Sequence, residues 1–428
     1  MRYLPIKFHV FYILFTFLFS VFGPVKYSDY NTLNVSLYIL AYLIIVTTGF
    51  ALGTRSKLFF EKKKTINIVS VFKVSIYISI FLYIIYMYYL YTIGMLNFNL
   101  LNMGQSYIDY YDYYYEKKSN SAFTFELFFI VAASIFKFLA LTLGFYYFKL
   151  MNRKLKILFI LLIIFIIITQ TFSLGNQKSI GDIFIFMLIS LIIGLNEMNK
   201  KEKFRTFSKI IFVFIFVLAL FSYSQYDRLM KRDIDLSLIN NRVSDYKTFD
   251  QDHLFYKVFG NNVGFGLSYF ISGYLSGGYY GLSKSMELPF EWTYGIGNSV
   301  AISSIVQKYS GNNIYAKTYL NRIEQVYNIP GKSHWHTIFP WLASDFTFGG
   351  TLFIFLFISY YYGKSWREIL ERKNPISLLL FSILTVLFVF VPANNQIMHG
   401  YDYFMITFFV FFIYFCFHNR YNRVLQVK

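Results

Sequence analysis

The chain has 428 residues, of which 56% are hydrophobic and 14% charged, with a mean hydropathy of +0.47. A soluble domain carries about a quarter charged residues, so this composition excludes an ordinary soluble fold and predicts an all-α polytopic membrane protein. The net charge of +18 does not point to nucleic acid, because the basic residues stand in short clusters between apolar runs, as in loops facing anionic headgroups.

In chain order, 8–22 reads as a short first span, since 19–24 offers no small-x-small cleavage site and more spans follow. Span two is 35–53, followed by the basic cluster Arg55, Lys57, Lys62, Lys63 and Lys64. Span three is 66–91, and an outer loop at 94–122 carries the tyrosine-rich run 107–116, either an interfacial aromatic belt or a carbohydrate platform. Span four is 123–148, followed by Lys149, Arg153, Lys154 and Lys156. Span five is 157–174, and span six ends near Leu195, before Lys200, Lys201, Lys203, Arg205 and Lys209. Span seven is 210–224. A long segment, 225–337, precedes span eight at 338–362 and the cluster Lys364, Arg367, Arg372 and Lys373. Span nine is 376–391 and span ten 403–417. Span ten holds the single cysteine, Cys416, so no intrachain disulfide is possible.

The short loops on the opposite side carry only Lys26, Lys117, Lys118 and Lys178. This asymmetry predicts ten spans, both termini cytoplasmic, and 225–337 as one long extracytoplasmic loop between spans 7 and 8. Three parts follow: a bundle over 1–224, the loop with interfacial or re-entrant helices over 225–337, and the last spans and tail over 338–428. The glycine-rich stretch 263–282 is apolar enough to cross. Paired with 293–307 as a hairpin it would give twelve spans, the alternative count.

The stretch 273–350 departs from the apolar rule by mixing aromatics, glycines and charges, and is the predicted working part. Arg322, Arg228, Arg242 and Lys332 are candidate diphosphate ligands, because guanidinium groups pair bidentately with phosphate oxygens. Trp292 and Trp335 are candidate substrate contacts. Arg322 and Glu324 stand two apart, so both could face one site only from extended or irregular backbone. Asp345, about two turns into span eight, is costly there unless it meets a polar cavity or a partner. Asp345, His334, His336 and Glu324 are the candidate proton acceptors for an attacking sugar hydroxyl. Two histidines are too few to hold a metal, and no cofactor motif is present, so neither metal nor cofactor is expected.

The blocks 274–282, 290–297 and 335–349 resemble the oligosaccharide repeat-unit polymerases, the Wzy-type O-antigen or capsule polymerases of bacteria. Many spans with one long outer loop late in the chain resemble that family's layout. The resemblance implies a metal-independent glycosyltransferase of the bacterial cytoplasmic membrane. It would transfer a growing glycan from undecaprenyl diphosphate to the next undecaprenyl-diphosphate-linked unit. The implied partners are these lipid-linked glycans, membrane lipids, a flippase and a chain-length regulator. An O-antigen ligase, a lipid-linked oligosaccharide flippase and a structural membrane component remain the other readings.

Overall fold

Apolar runs of this length satisfy their backbone polar groups internally only as helices, and the computed structural model is helical along most of its length. It describes residues 2–57, 68–99, 102–118, 125–195, 198–230, 246–250, 252–260, 268, 272–331 and 334–418. In chain order the helices are α1 (Leu4–Phe22), α2 (Thr32–Arg55), α3 (Ile68–Thr92), α4 (Met103–Lys118), α5 (Phe125–Tyr147), α6 (Arg153–Ile166), α7 (Lys178–Gly194) and α8 (Lys200–Met230). There follow α9 (Leu254–Phe259), α10 (Gly277–Met286), α11 (Val300–Ser310), α12 (Tyr319–Tyr327), α13 (Ile338–Arg372), α14 (Pro375–Phe390), α15 (Gln396–His399) and α16 (Tyr401–Phe417). The one exception to an all-helical fold among the described residues is an antiparallel ribbon of β1 (Val25–Tyr27) and β2 (Lys247–Phe249), which sets Val25 opposite Phe249.

Among the described residues, seven helices are long and apolar enough to cross a membrane: α1, α2, α3, Phe128–Leu150, Arg153–Ser173, Lys200–Phe221 and α13. The protein is therefore membrane-embedded. The expected sixth, ninth and tenth spans fall on α7, α14 and α16, which have 17, 16 and 17 residues. Several hydroxyls within these apolar helices fold back on their own turn, as Thr47 does to the Leu43 carbonyl at 2.8 Å and Ser75 to Val71 at 2.8 Å. That removes the cost of carrying a polar group into hydrocarbon.

Three stretches take a definite local form. The tyrosine-rich run assigned to a loop is the helix α4, whose Gly104 amide donates to the Asp227 carboxylate of α8 at 2.7 Å. Helix α8 runs on to Met230, past the apolar limit at Ser224, because 225–230 contains neither glycine nor proline to stop it. The boundary drawn between 224 and 225 thus falls inside a helix. The stretch 293–307 turns before entering α11, a helix of 11 residues. Such a helix is about 16 Å long, half of the hydrocarbon thickness.

The chain forms two compact units, neither of them contiguous in sequence: Met1–Phe59 with Leu236–Glu368 and Ile383–Thr407, and Phe60–Asp235 with Ile369–Ser382 and Phe408–Lys428. In the first unit, α2 packs on α13 through glycines. A Cβ at Gly53 would strike the Tyr360 carbonyl and come within 2.8 Å of the Lys364 nitrogen, and one at Gly363 would strike the Phe50 carbonyl. Small residues of this kind let membrane helices approach backbone to backbone. The C-terminal carbonyls of α2 are capped by arginines. Arg367 Nη1 donates to Ser56 O at 2.8 Å, and both Arg2 and Arg367 reach Thr54 O. In the second unit, Tyr86 of α3 stacks on Phe129 of α5 at 4.1 Å, and Phe72 meets Phe159 of α6 at 6.3 Å.

Candidate functional site

The polar residues of 289–345 all belong to the first unit. They are organised by a break in α13: Thr347 has φ 60° and ψ 168°, a conformation foreign to a helix and strained for a β-branched residue. The break divides α13 into 338–346 and 348–372. Asp345 therefore ends a short leading segment, and does not stand two turns inside one continuous span.

Asp345 is buried, 5% exposed, and is engaged by the turn 293–298. Its Oδ2 accepts from the Asn298 amide at 2.8 Å and from Asn298 Nδ2 at 2.7 Å, and its Oδ1 accepts from the Gly297 amide at 3.3 Å. The Thr293 hydroxyl lies between Asp345 Oδ1 and the Ser344 carbonyl, with one proton to share between them. The Thr293 amide also donates to Ser344 O at 3.3 Å. A buried carboxylate is tolerated when its lone pairs are filled in this way. The turn passes through Tyr294 at φ 59° and Gly295 at φ 78°. It is tied further by Asn395, whose side chain donates to Asn298 O at 2.8 Å, and by the Ser299 hydroxyl, which donates to Met398 O at 2.7 Å.

Arg322 is anchored on the preceding segment. Helix α12 starts at its Thr318 cap, which accepts from the Asn321 amide at 3.3 Å, and ends at Asn328 with φ 54°. One face of α12, with Leu320 and Ile323, packs against Tyr315 and Trp341. Arg322 lies on that buried face. Its Nη1 donates to Pro289 O at 2.8 Å, its Nε pairs with Glu291 Oε1 at 3.1 Å, and its guanidinium sits 5.6 Å from the Tyr319 ring centre. Glu324 projects from the exposed face and accepts from the Gly331 amide at 3.0 Å. Arg322 and Glu324 occupy different faces of one helix, so the extended or irregular backbone that would let both face one site is not what this stretch adopts.

Residues 290–294 alternate in consequence. Glu291 turns to Arg322 and Thr293 to Asp345, while Phe290, Trp292 and Tyr294 are exposed at 42%, 57% and 58%. The Trp292 and Tyr294 rings lie 4.9 Å apart at 44°, and Lys317 Nζ stands 5.3 Å from the Tyr294 ring. The result is an aromatic face beside a cation, held from behind by two acidic anchors. Trp292 was expected at the site. Tyr294, Lys317 and Glu291 were not, although apolar and polar residues alternate visibly from 290 to 294.

A second group surrounds the histidines. His334 and His336 have ring centres 5.6 Å apart, and Trp335 lies 5.0 Å from Tyr274. His336 is buried, and its Nε2 donates to Pro330 O at 3.0 Å. That hydrogen bond leaves the lone pair on Nδ1, which has no partner and is backed by Gly281, where a Cβ would overlap it. Burial lowers the His336 pKa to about 4, partly offset by the Pro330 carbonyl and the Glu324 charge. Burial, with the neighbouring His336 and Lys247, lowers that of His334 to about 3. Both rings are neutral at pH 7.

Of the other candidates, Arg228 stands in the last turn of α8, in the second unit, and Arg242 and Lys332 lie outside the described residues. Among the described residues no group of three or more His, Cys, Asp or Glu could hold a metal ion. Chemically, Asp345 and Arg322 are committed to holding 289–298. The groups open to a ligand are the aromatic face, Lys317, and the exposed carboxylates of Glu291 and Glu324. No family model, curated protein or solved structure matches this chain.

Proposed function

We propose that this chain is a membrane glycosyltransferase that polymerises undecaprenyl-diphosphate-linked oligosaccharide units at the outer face of a bacterial cytoplasmic membrane. The observation that carries the reading is the face formed by Phe290, Trp292 and Tyr294, kept outward by the Glu291–Arg322 and Thr293–Asp345 anchors. Sugar rings present apolar C–H faces that stack on rigid aromatic side chains, while their hydroxyls bond to charged neighbours such as Lys317 and Glu291. In this reading the chain has ten spans with both termini in the cytoplasm, and 225–337 lies outside.

The reaction joins a hydroxyl oxygen of the acceptor sugar to the anomeric carbon of the donor. The carbon–oxygen bond to the diphosphate breaks, and the lipid diphosphate leaves with the electron pair. The proton of the attacking hydroxyl passes to a neutral imidazole, and His334 is the assigned acceptor, since His336 is closed in behind Gly281. Arg242 and Lys332 are assigned to the leaving diphosphate. Arg322 and Asp345 are positioning residues.

The test is a surface-polysaccharide gel of a deletion strain carrying wild-type or variant plasmid. Loss of long chains with single units retained supports the reading. Polymer that is made but left unattached would favour a ligase, and single units stranded on the cytoplasmic side would favour a flippase.

A further inference from the structure

The charges around the aromatic face do not balance within the chain. Four carboxylates stand between 287 and 345, and each is engaged. Glu287 pairs with Lys284 at 3.0 Å and accepts from the Tyr327 hydroxyl at 2.8 Å. Glu291 pairs with Arg322, Glu324 accepts from the Gly331 amide, and Asp345 is filled by Thr293, Gly297 and Asn298. Lys317 is exposed, and among the described residues no carboxylate comes within ion-pair distance of it. Its Nζ stands instead 5.3 Å from the centre of the Tyr294 ring, drawn by the negative face of the ring. Trp292 stands against the same ring at 4.9 Å, with the two planes at 44°. Tyr294 is fixed between them by the turn that Asp345 holds, through a backbone φ of 59°.

A neutral sugar stacked on this face leaves the ammonium beside Tyr294 unanswered, whereas an acidic one meets it with a charge-assisted hydrogen bond. One ammonium matches one negative charge. The guanidinium that would favour a phosphate, that of Arg322, is committed to Pro289 and Glu291. We propose that the saccharide bound on Trp292 and Tyr294 is a uronic acid residue whose carboxylate pairs with Lys317. In the polymerase reading, on which this rests, the substrate class is a lipid-linked repeat unit that carries an acidic sugar.

The experiment uses the purified full chain in detergent micelles and two probes, a tetrasaccharide carrying glucuronic acid and its methyl ester, which keeps the ring and removes the charge. Binding is measured by calorimetry at low and high salt. The acid is expected to bind about three- to tenfold more tightly than the ester, an advantage that shrinks as salt screens the cation. Lys317→Met is expected to bring the acid down to the level of the ester and to leave the ester unchanged, while Trp292→Ala weakens both. Lys308→Met, at an exposed cation of α11, is expected to keep the preference for the acid. Equal binding of acid and ester, a preference that survives Lys317→Met, or binding of neither probe would overturn the proposal. The polysaccharide of the strain itself separates this failure from that of the polymerase reading. A polymer that is lost on deletion and contains no uronic acid overturns the substrate class and leaves the polymerase standing. A polymer still made by the deletion strain overturns the polymerase and the substrate class with it.

Discussion

Asn298 gives Asp345 both of its donors, the backbone amide at 2.8 Å and the side-chain amide at 2.7 Å, across 47 residues of sequence. The carboxylate thus holds the turn that presents Trp292 and Tyr294. Asp345→Asn places an amino group against donors, and should cost about 2–4 kcal/mol of stability, the range for breaking a buried charged network. Thermal unfolding of the purified variant measures it. If Asp345 positions the turn, Asn298→Ala should impair polymer formation in the same sense, and the pH profile of the residual activity should be unchanged. A shifted profile would return Asp345 to the role of proton acceptor.

Trp292→Ala should separate recognition from folding. The side chain is 57% exposed, so the unfolding midpoint should stay near that of the wild type. Polymer yield should fall about tenfold or more, as for truncation of an aromatic hot spot. Normal chain length in this variant would remove the aromatic face from the reaction.

Gly278 approaches a backbone that offers no room. A Cβ there would stand 2.5 Å from Pro392 O and 2.7 Å from the Thr337 nitrogen. Gly278→Ala should therefore destabilise the protein by roughly 1–3 kcal/mol, the usual cost of overpacking. Gly273→Ala, with nothing within 4 Å, is the matched control. Protein levels in membranes and thermal unfolding report both.

Stability should fall on acidification. His336 has a folded pKa of about 4, below the unfolded value of about 6.5. The unfolded chain binds the proton first, so the stabilisation is complete above about pH 6.5 and is lost as pH falls toward 4, by up to about 1.4 kcal/mol per pH unit. His336→Gln should flatten that slope between pH 6 and 4 in pH-dependent melts.

The helical class was legible because every apolar run must close its own hydrogen bonds in lipid. The site was legible only in part. Asp345 looked costly in a span, but the break at Thr347 has no proline or glycine at that position to announce it, and the glycines at 349 and 350 follow it. Its partners, Thr293 and Asn298, are set by tertiary packing that no local spacing encodes. The helix that puts Arg322 and Glu324 on different faces is marked in the sequence by Thr318 and Asn328, ordinary helix start and stop residues.

The pairing of α2 with α13 bears on biosynthesis. Arg367 caps the carbonyl of Ser56 across 311 residues, and Gly53 waits on Tyr360. At about 5–20 residues per second, translation leaves the N-terminal helices without that partner for roughly 15–60 s. Through that interval His9 and Tyr42, bonded to each other at 2.7 Å, keep one polar pair satisfied within the nascent chain. The grooved face of α2 stays open to lipid or to an insertion chaperone until the last third of the chain arrives.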